Sequence, residues 1–195
     1  LPHAINIYGR EAGGRLYADH YFMGGGQGAG RDWDGKSALL YPTSAANTSI
    51  ELLESRAPVL VLEKSLVADS GGPGRRRGGL GVRTRLRKLL DDGLPTLVSV
   101  YPEGVGVVAP GLAGGGPGGP VRGMVTDAAG RVVQDCGTGE LVTLTSADRI
   151  VEVQLAGGAG FGDPAAREQG LVDDDLADGY VTPTGEAAYR TSRAA

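Results

Sequence analysis

The chain has 195 residues, 41% of them hydrophobic, a formal net charge of −4 and a pI near 5.2. That is enough apolar content to bury a core, and too little positive charge for a general nucleic-acid binder, which neutralises phosphates with excess Lys and Arg. One cysteine excludes an internal disulfide framework, and with only His3 and His20 beside Cys136 no familiar Cys/His zinc site is expected.

In chain order, residues 4–9 and 15–23 alternate like strands around the Gly13-Gly14 turn and predict a hairpin. A glycine run, GGGQGAG (24–30), follows. The segment NTSIELLESRAP predicts a short helix, with Thr48 as N-cap, Glu51 three residues on to close a capping box, and Pro58 preventing extension. VLVLEKSLV (59–67) reads as a strand. In VRTRLRKLL, Val82, Thr84 and Leu86 alternate with Arg83, Arg85 and Arg87, the pattern of a half-buried strand. Asp92-Gly93 marks a turn, and strands are expected over 96–101, 121–127, 131–135, 140–145 and 148–156. From Asp163-Pro164 the pattern becomes helical: AAREQ as a short helix stopped by Gly170, then two further helical turns ending on Arg190. The fold class is therefore mainly β (a β-rich α+β chain). Antiparallel strands are joined by Gly-rich loops, with one internal short helix and a short helical C-terminal tail. The division is a body over 1–164 and a tail over 165–195.

Glycine is the compositional outlier, 35 residues against an ordinary share of ~7%. Its densest cluster is DSGGPGRRRGGLGVR, Asp69 to Arg83. A phosphate loop would need Lys-Ser/Thr after the glycines and a helix beyond; a strand follows instead. A dinucleotide fingerprint fails for the same reason. Two readings stay open. Arg75, Arg76 and Arg77 bind an anion or an acidic partner beside inward-turned backbone N–H groups, or the glycines adopt φ > 0 in a tight connection and the arginines are solvated or pair with local acids such as Asp69. Asp173, Asp174 and Asp175 read as a solvated helix face, His20 as a surface or edge residue, and neither Ser70 nor Cys136 has the neighbours of a nucleophile.

Taken in order, YFMGGGQGAGRDWDG, YPTSAANTSIELLE, DSGGPGRRRGGLGVR, GLAGGGPGGP, AGGAGFGDP and LVDDDLADGYVTPTGEAAYR resemble the C-terminal part of the hydantoinase B family. That family comprises the B subunits of ATP-dependent hydantoinases, the matching half of 5-oxoprolinase, and relatives among the acetone carboxylases. The resemblance implies part of a cytoplasmic, multisubunit enzyme. An A-type subunit with ATP and magnesium phosphorylates a carbonyl oxygen, and the B-type subunit completes the opening of a cyclic amide (hydantoin, oxoproline or another lactam) or, alternatively, the carboxylation of a ketone. A non-catalytic β-rich interaction module is the alternative from another class.

In this family the metal-binding histidines and aspartates lie in the N-terminal portion of the B subunit. This chain is thus expected to bind no metal alone, to need the remainder of the B subunit and an A-like ATP-binding partner, and to be inactive in isolation. Neither nucleic acid nor membrane is an expected partner. The chain starts at Leu1 without methionine and is expected to be a processed or partial polypeptide. The motifs single out Asn47, Thr48 and Glu51 in one phrase, and Asp69, Arg75 and Arg77 in another, as substrate or interface candidates.

Overall fold

The computed structural model describes residues 3–40, 47–102, 104–137 and 139–190. Among the described residues, nine strands form two antiparallel sheets. The first holds β1 (His3–Arg10), β2 (Leu16–Met23), β5 (Thr96–Val100) and β8 (Glu140–Leu144) in the order β2-β1-β5-β8. The second holds β3 (Val59–Leu66), β4 (Val82–Lys88), β6 (Arg122–Thr126), β7 (Val132–Asp135) and β9 (Ile150–Gln154) in the order β3-β4-β9-β6-β7. Each strand expected from alternation is present. The hairpin turn closes at Gly14, whose φ of 86° is open only to glycine at low cost, and it pairs Arg10 with Leu16.

Apolar faces of the two sheets meet in one cluster. Ile5, Ile7, Tyr21 and Val98 come from the first sheet, and Val59, Leu86, Val151 and Val153 from the second. Helix α1 (Ile50–Arg56) adds Leu53, which is fully buried. On β4 the expected faces separate cleanly: Val82, Thr84, Leu86 and Lys88 are buried, while the arginines between them are half-exposed. Arg83 and Arg85 each reach both Glu63 of β3 and Glu152 of β9, so unlike charges alternate across three strands. Lys88 is buried because Asp92 and the Leu94 carbonyl receive its ammonium; the Nζ–Oδ1 distance to Asp92 is 2.6 Å.

Two local expectations need correction. Helix α1 is capped by Ser49, whose hydroxyl accepts from the Leu52 N–H at 3.3 Å, and not by Thr48. The cap sits one residue later, so Glu51 occupies the second helical position and cannot close a capping box; its carboxylate accepts a hydrogen bond from the Ser49 hydroxyl instead. In the tail, Asp163 caps only a 3₁₀ turn, Pro164–Ala166. Gly170 does not stop a helix; it lies in the first turn of α2 (Gln169–Ala177), and α3 (Ala187–Arg190) follows. Among the described residues, no helix is long and apolar enough to cross a membrane.

Candidate functional site

The glycine clusters converge into a single body. Segments 25–30, 35–36, 70–79, 112–119 and 156–162 lie side by side and exchange main-chain hydrogen bonds. Gly79 N–H donates to the Gln27 carbonyl (2.8 Å), Gly158 to Gly79 (2.8 Å), Gly72 to Gly158 (2.8 Å), Gly160 to Gly116 (3.0 Å) and Gly116 to Pro73 (2.7 Å). At most of these glycines the spacing leaves no room for a side chain. A Cβ on Gly72 would stand 2.5 Å from the Gly116 oxygen, 2.6 Å from the Gly160 nitrogen and 2.7 Å from the Pro117 oxygen, all main-chain atoms.

This overturns the reading of these glycines as φ > 0 turn formers. None of the six glycines between Asp69 and Arg83 has a positive φ; the residue that does is Asp69, at 60°. They are glycines because neighbouring backbones occupy the space of a side chain.

Arg77 is not solvated and does not pair with Asp69. It is 5% exposed, and its Nε contacts Asp175 Oδ1 at 3.1 Å. The other Asp175 oxygen receives Arg167 at 2.8 Å, and Arg167 grips Asp34 with both terminal nitrogens, at 2.9 and 2.8 Å. Asp34 also accepts the Arg77 backbone N–H at 2.8 Å, which closes the loop. Although burial pulls the Asp34 carboxyl upward, the Arg167 guanidinium and the Arg77 N–H outweigh it and hold it below the usual carboxylate range. Rings complete the enclosure: Tyr180 lies 5.2 Å from the Arg77 guanidinium and Tyr189 lies 6.0 Å from that of Arg167. Burial pushes the Tyr189 hydroxyl up to about 12. Asp175 therefore corrects the expectation of a solvated acidic face; Asp173 and Asp174 are exposed, but Asp175 is buried.

Asp69 also binds the tail. Its carboxylate accepts from the Thr182 N–H (2.8 Å) and hydroxyl (2.6 Å), and its own N–H donates to the Tyr180 carbonyl (3.0 Å). A left-handed backbone is tolerated by aspartate better than by most residues. Arg75 is exposed and donates to the Arg31 carbonyl at 2.9 Å, which ties two glycine-rich segments together. Asp69, Arg75 and Arg77 thus act first on the architecture: they fasten the bundle to itself and to residues 167–182.

Asn47, Thr48 and Glu51 sit at the approach to α1 and in its first turn. The Thr48 carbonyl receives Lys64 Nζ at 3.1 Å, and the Asn47 amide donates to the Ala38 carbonyl at 3.3 Å. Lys64 lies over the Tyr21 ring, 5.0 Å from its centre. Beside them opens a recess of about 260 Å³, lined by Ala38, Asn47, Lys64, Ser65, Leu66 and Val82. Burial lowers the Lys64 pKa from its usual value. Sequence reading passed over Lys64, since a single lysine in a strand carries no signal; only its enclosure marks it.

A larger hollow of about 410 Å³ lies against β6 and β7 and includes Cys136. Burial, assisted by Glu140 and Asp135, pushes that thiol up to about 11, which keeps it protonated and unreactive near neutrality. Among the described residues no group of three or more His, Cys, Asp and Glu could hold a metal ion. The carboxylates of the tail junction are already saturated by arginine. They do not fit a divalent metal.

The family model for hydantoinase B/oxoprolinase matches residues 2–164. An uncharacterized protein of Methanocaldococcus jannaschii is 32% identical over 179 residues, 91% of this chain and 30% of its own length. The caprolactamase subunit beta of Pseudomonas jessenii is 33% identical over 171 residues, 82% of this chain and 28% of that subunit. Among solved structures, the ATP-dependent caprolactamase of the same organism superposes with a TM-score of 0.73 at 28% identity, covering 95% of this chain and 33% of that one. Nucleotide-free acetone carboxylase gives 0.69 at 21% identity, covering 96% and 29%; that likeness is one of fold. The chain thus spans about a third or less of the length of each.

Proposed function

Because the chain belongs to the hydantoinase B/oxoprolinase family, we propose that it forms the C-terminal part of a B-type subunit in a complex that opens a cyclic amide with ATP. The observation that carries this reading is the likeness to caprolactamase subunit beta, 33% identical over 82% of the chain, together with the family match over residues 2–164. That relative is named for a lactam-opening enzyme, whereas acetone carboxylase is similar in fold at 21% identity, so amide hydrolysis is preferred to ketone carboxylation.

An amide carbonyl is a poor electrophile. Transfer of the γ-phosphoryl group of ATP to its oxygen gives a phosphorylated imidate with a more electrophilic carbon. One water adds at that carbon, the ring nitrogen takes up a proton and leaves as the C–N bond breaks, and a second water cleaves the acyl phosphate so formed to carboxylate and inorganic phosphate. ATP and magnesium belong to an A-type partner in this scheme, and a divalent metal, which would position or activate the water, belongs to the rest of the B subunit. This chain supplies a rigid wall and the clasped tail, and is inactive alone. A cytoplasmic location is part of this reading, since ATP is available there.

The test is co-expression with an A-type subunit and the missing portion of the B subunit, followed by affinity purification through this chain. Co-elution of both partners in fixed ratio is expected. Elution of this chain alone, under conditions where the other two are folded, overturns the assembly.

A further inference from the structure

A half-buried ammonium costs free energy unless something compensates its charge, and this fold compensates such groups elsewhere. Arg77 and Arg167 hold Asp175, and Lys88 holds Asp92. Lys64 differs. Its contacts are a neutral carbonyl, Thr48, and the face of Tyr21, and no carboxylate among the described residues lies within ion-pair distance. An ammonium has three N–H donors. One is taken by the Thr48 carbonyl, and the ring attracts the charge without accepting a conventional hydrogen bond. Capacity therefore remains on the side where Lys64 lines the recess with Asn47 and Ser65. Ser65 turns its proton to Glu63 at 2.6 Å, which leaves Lys64 and Asn47 as the donors available to a guest.

The rest of the lining is apolar. Ala38, Leu66 and Val82 would face the carbon skeleton of a ligand, and Leu66 is 39% exposed, so the recess is reached from solvent. At about 260 Å³ it is somewhat smaller than pockets for drug-sized molecules, which begin near ~300 Å³. Its chemistry fits a small molecule with one anionic end and a short apolar body.

We propose that the recess beside Lys64 is an oxyanion-binding site: it takes the carboxylate or phosphoryl group of a small organic molecule, with Lys64 as counter-ion and Asn47 as second donor. Both groups present the same feature, a charged oxygen that accepts a charge-assisted hydrogen bond. Such binding is a property of this chain by itself. Its failure would leave the amide-opening reading standing, and the failure of that reading would leave this site untouched.

The experiment is an NMR titration of the isotope-labelled 195-residue chain with acetate and, separately, with inorganic phosphate at constant ionic strength. Saturable shifts centred on Lys64, Asn47, Ser65 and Leu66 are expected with at least one of the two. Saturation by acetate alone assigns the site to carboxylates, by phosphate alone to phosphoryl groups, and by both to the shared oxyanion chemistry. Lys64→Met should weaken binding at least tenfold. Asn47→Ala, at an exposed position that leaves the fold intact, should weaken it severalfold. Absence of saturation with either anion overturns the proposal, and so does unchanged affinity in both variants.

Discussion

Two regions of this molecule achieve close packing by opposite means. Between the sheets, side chains such as Ile7, Tyr21, Leu53 and Leu86 fill the interior, and stability comes from apolar area withdrawn from water. In the glycine bundle there are hardly any side chains to bury. Backbones approach until N–H and C=O groups of different segments satisfy one another, and the ion cluster of Asp34, Arg77, Arg167 and Asp175 locks the helical tail onto that bundle. A side-chain core can relax around a loss of volume. A backbone bundle cannot yield to a gain in volume without breaking its hydrogen bonds.

That contrast sets the order of expected effects. The largest belongs to Gly72→Ala or Gly78→Ala, where the added methyl meets main-chain atoms on every side; a loss of about 3 kcal/mol or more is expected, read as a collapse of the denaturation midpoint. Gly170→Ala is the matched control. Its Cβ meets nothing within 4 Å and lies in a helix, so the change should be neutral or stabilising by up to about 1 kcal/mol. If the two substitutions cost the same, close backbone packing is not what holds the bundle.

Next comes Arg167→Met, which strips Asp34 and Asp175 of their shared partner inside the fold and should cost about 3 to 5 kcal/mol. Limited proteolysis should then cut first between residues 167 and 190, while the sheets stay protected. Leu53→Ala, in the sandwich, should cost about 2 to 5 kcal/mol and loosen α1 without freeing the tail.

A smaller, graded effect is expected with acid. The folded-state pKa of Asp34 is depressed, so its stabilisation is complete above the ordinary carboxylate pKa of about 4 and is lost as pH falls through the lower, folded-state value. Thermal melts should fall steeply below about pH 4, and Asp34→Asn should lower stability at neutral pH while flattening that acid limb. Smallest of all is Glu63→Gln on the outer sheet face: its pairs with Arg83 and Arg85 are partly exposed, so less than about 1 kcal/mol is expected, diminishing with salt.

The difference between the regions also explains what the sequence disclosed. Strands were legible because alternation is local: Val82, Thr84 and Leu86 announce their face within five residues. The sequence does not separate the two candidate caps of α1, because Thr48 and Ser49 are adjacent and both competent; only the backbone geometry selects Ser49. From sequence alone Asp175 reads as solvent-facing, because its partner Arg77 lies 98 residues away, a pairing that no local pattern reports. The glycines were visible as a composition but not as a bundle. A glycine that opens a turn and one that admits a neighbouring backbone look alike in sequence. The motifs that carry the family resemblance single out Asn47, Thr48, Glu51, Asp69, Arg75 and Arg77, and the structure gives each a structural contact; Lys64 lies outside any motif.

The most direct measurement is ATP-dependent ring opening by the reconstituted complex, with a cyclic amide such as caprolactam or 5-oxoproline. It would be run with the A-type subunit and the remainder of the B subunit, with and without this chain. Amino-acid product and ADP formed together, only when all three are present, is the expected result. Equal turnover without this chain, or no turnover of any cyclic amide by the complete and folded assembly, would contradict its place in an amide-opening enzyme.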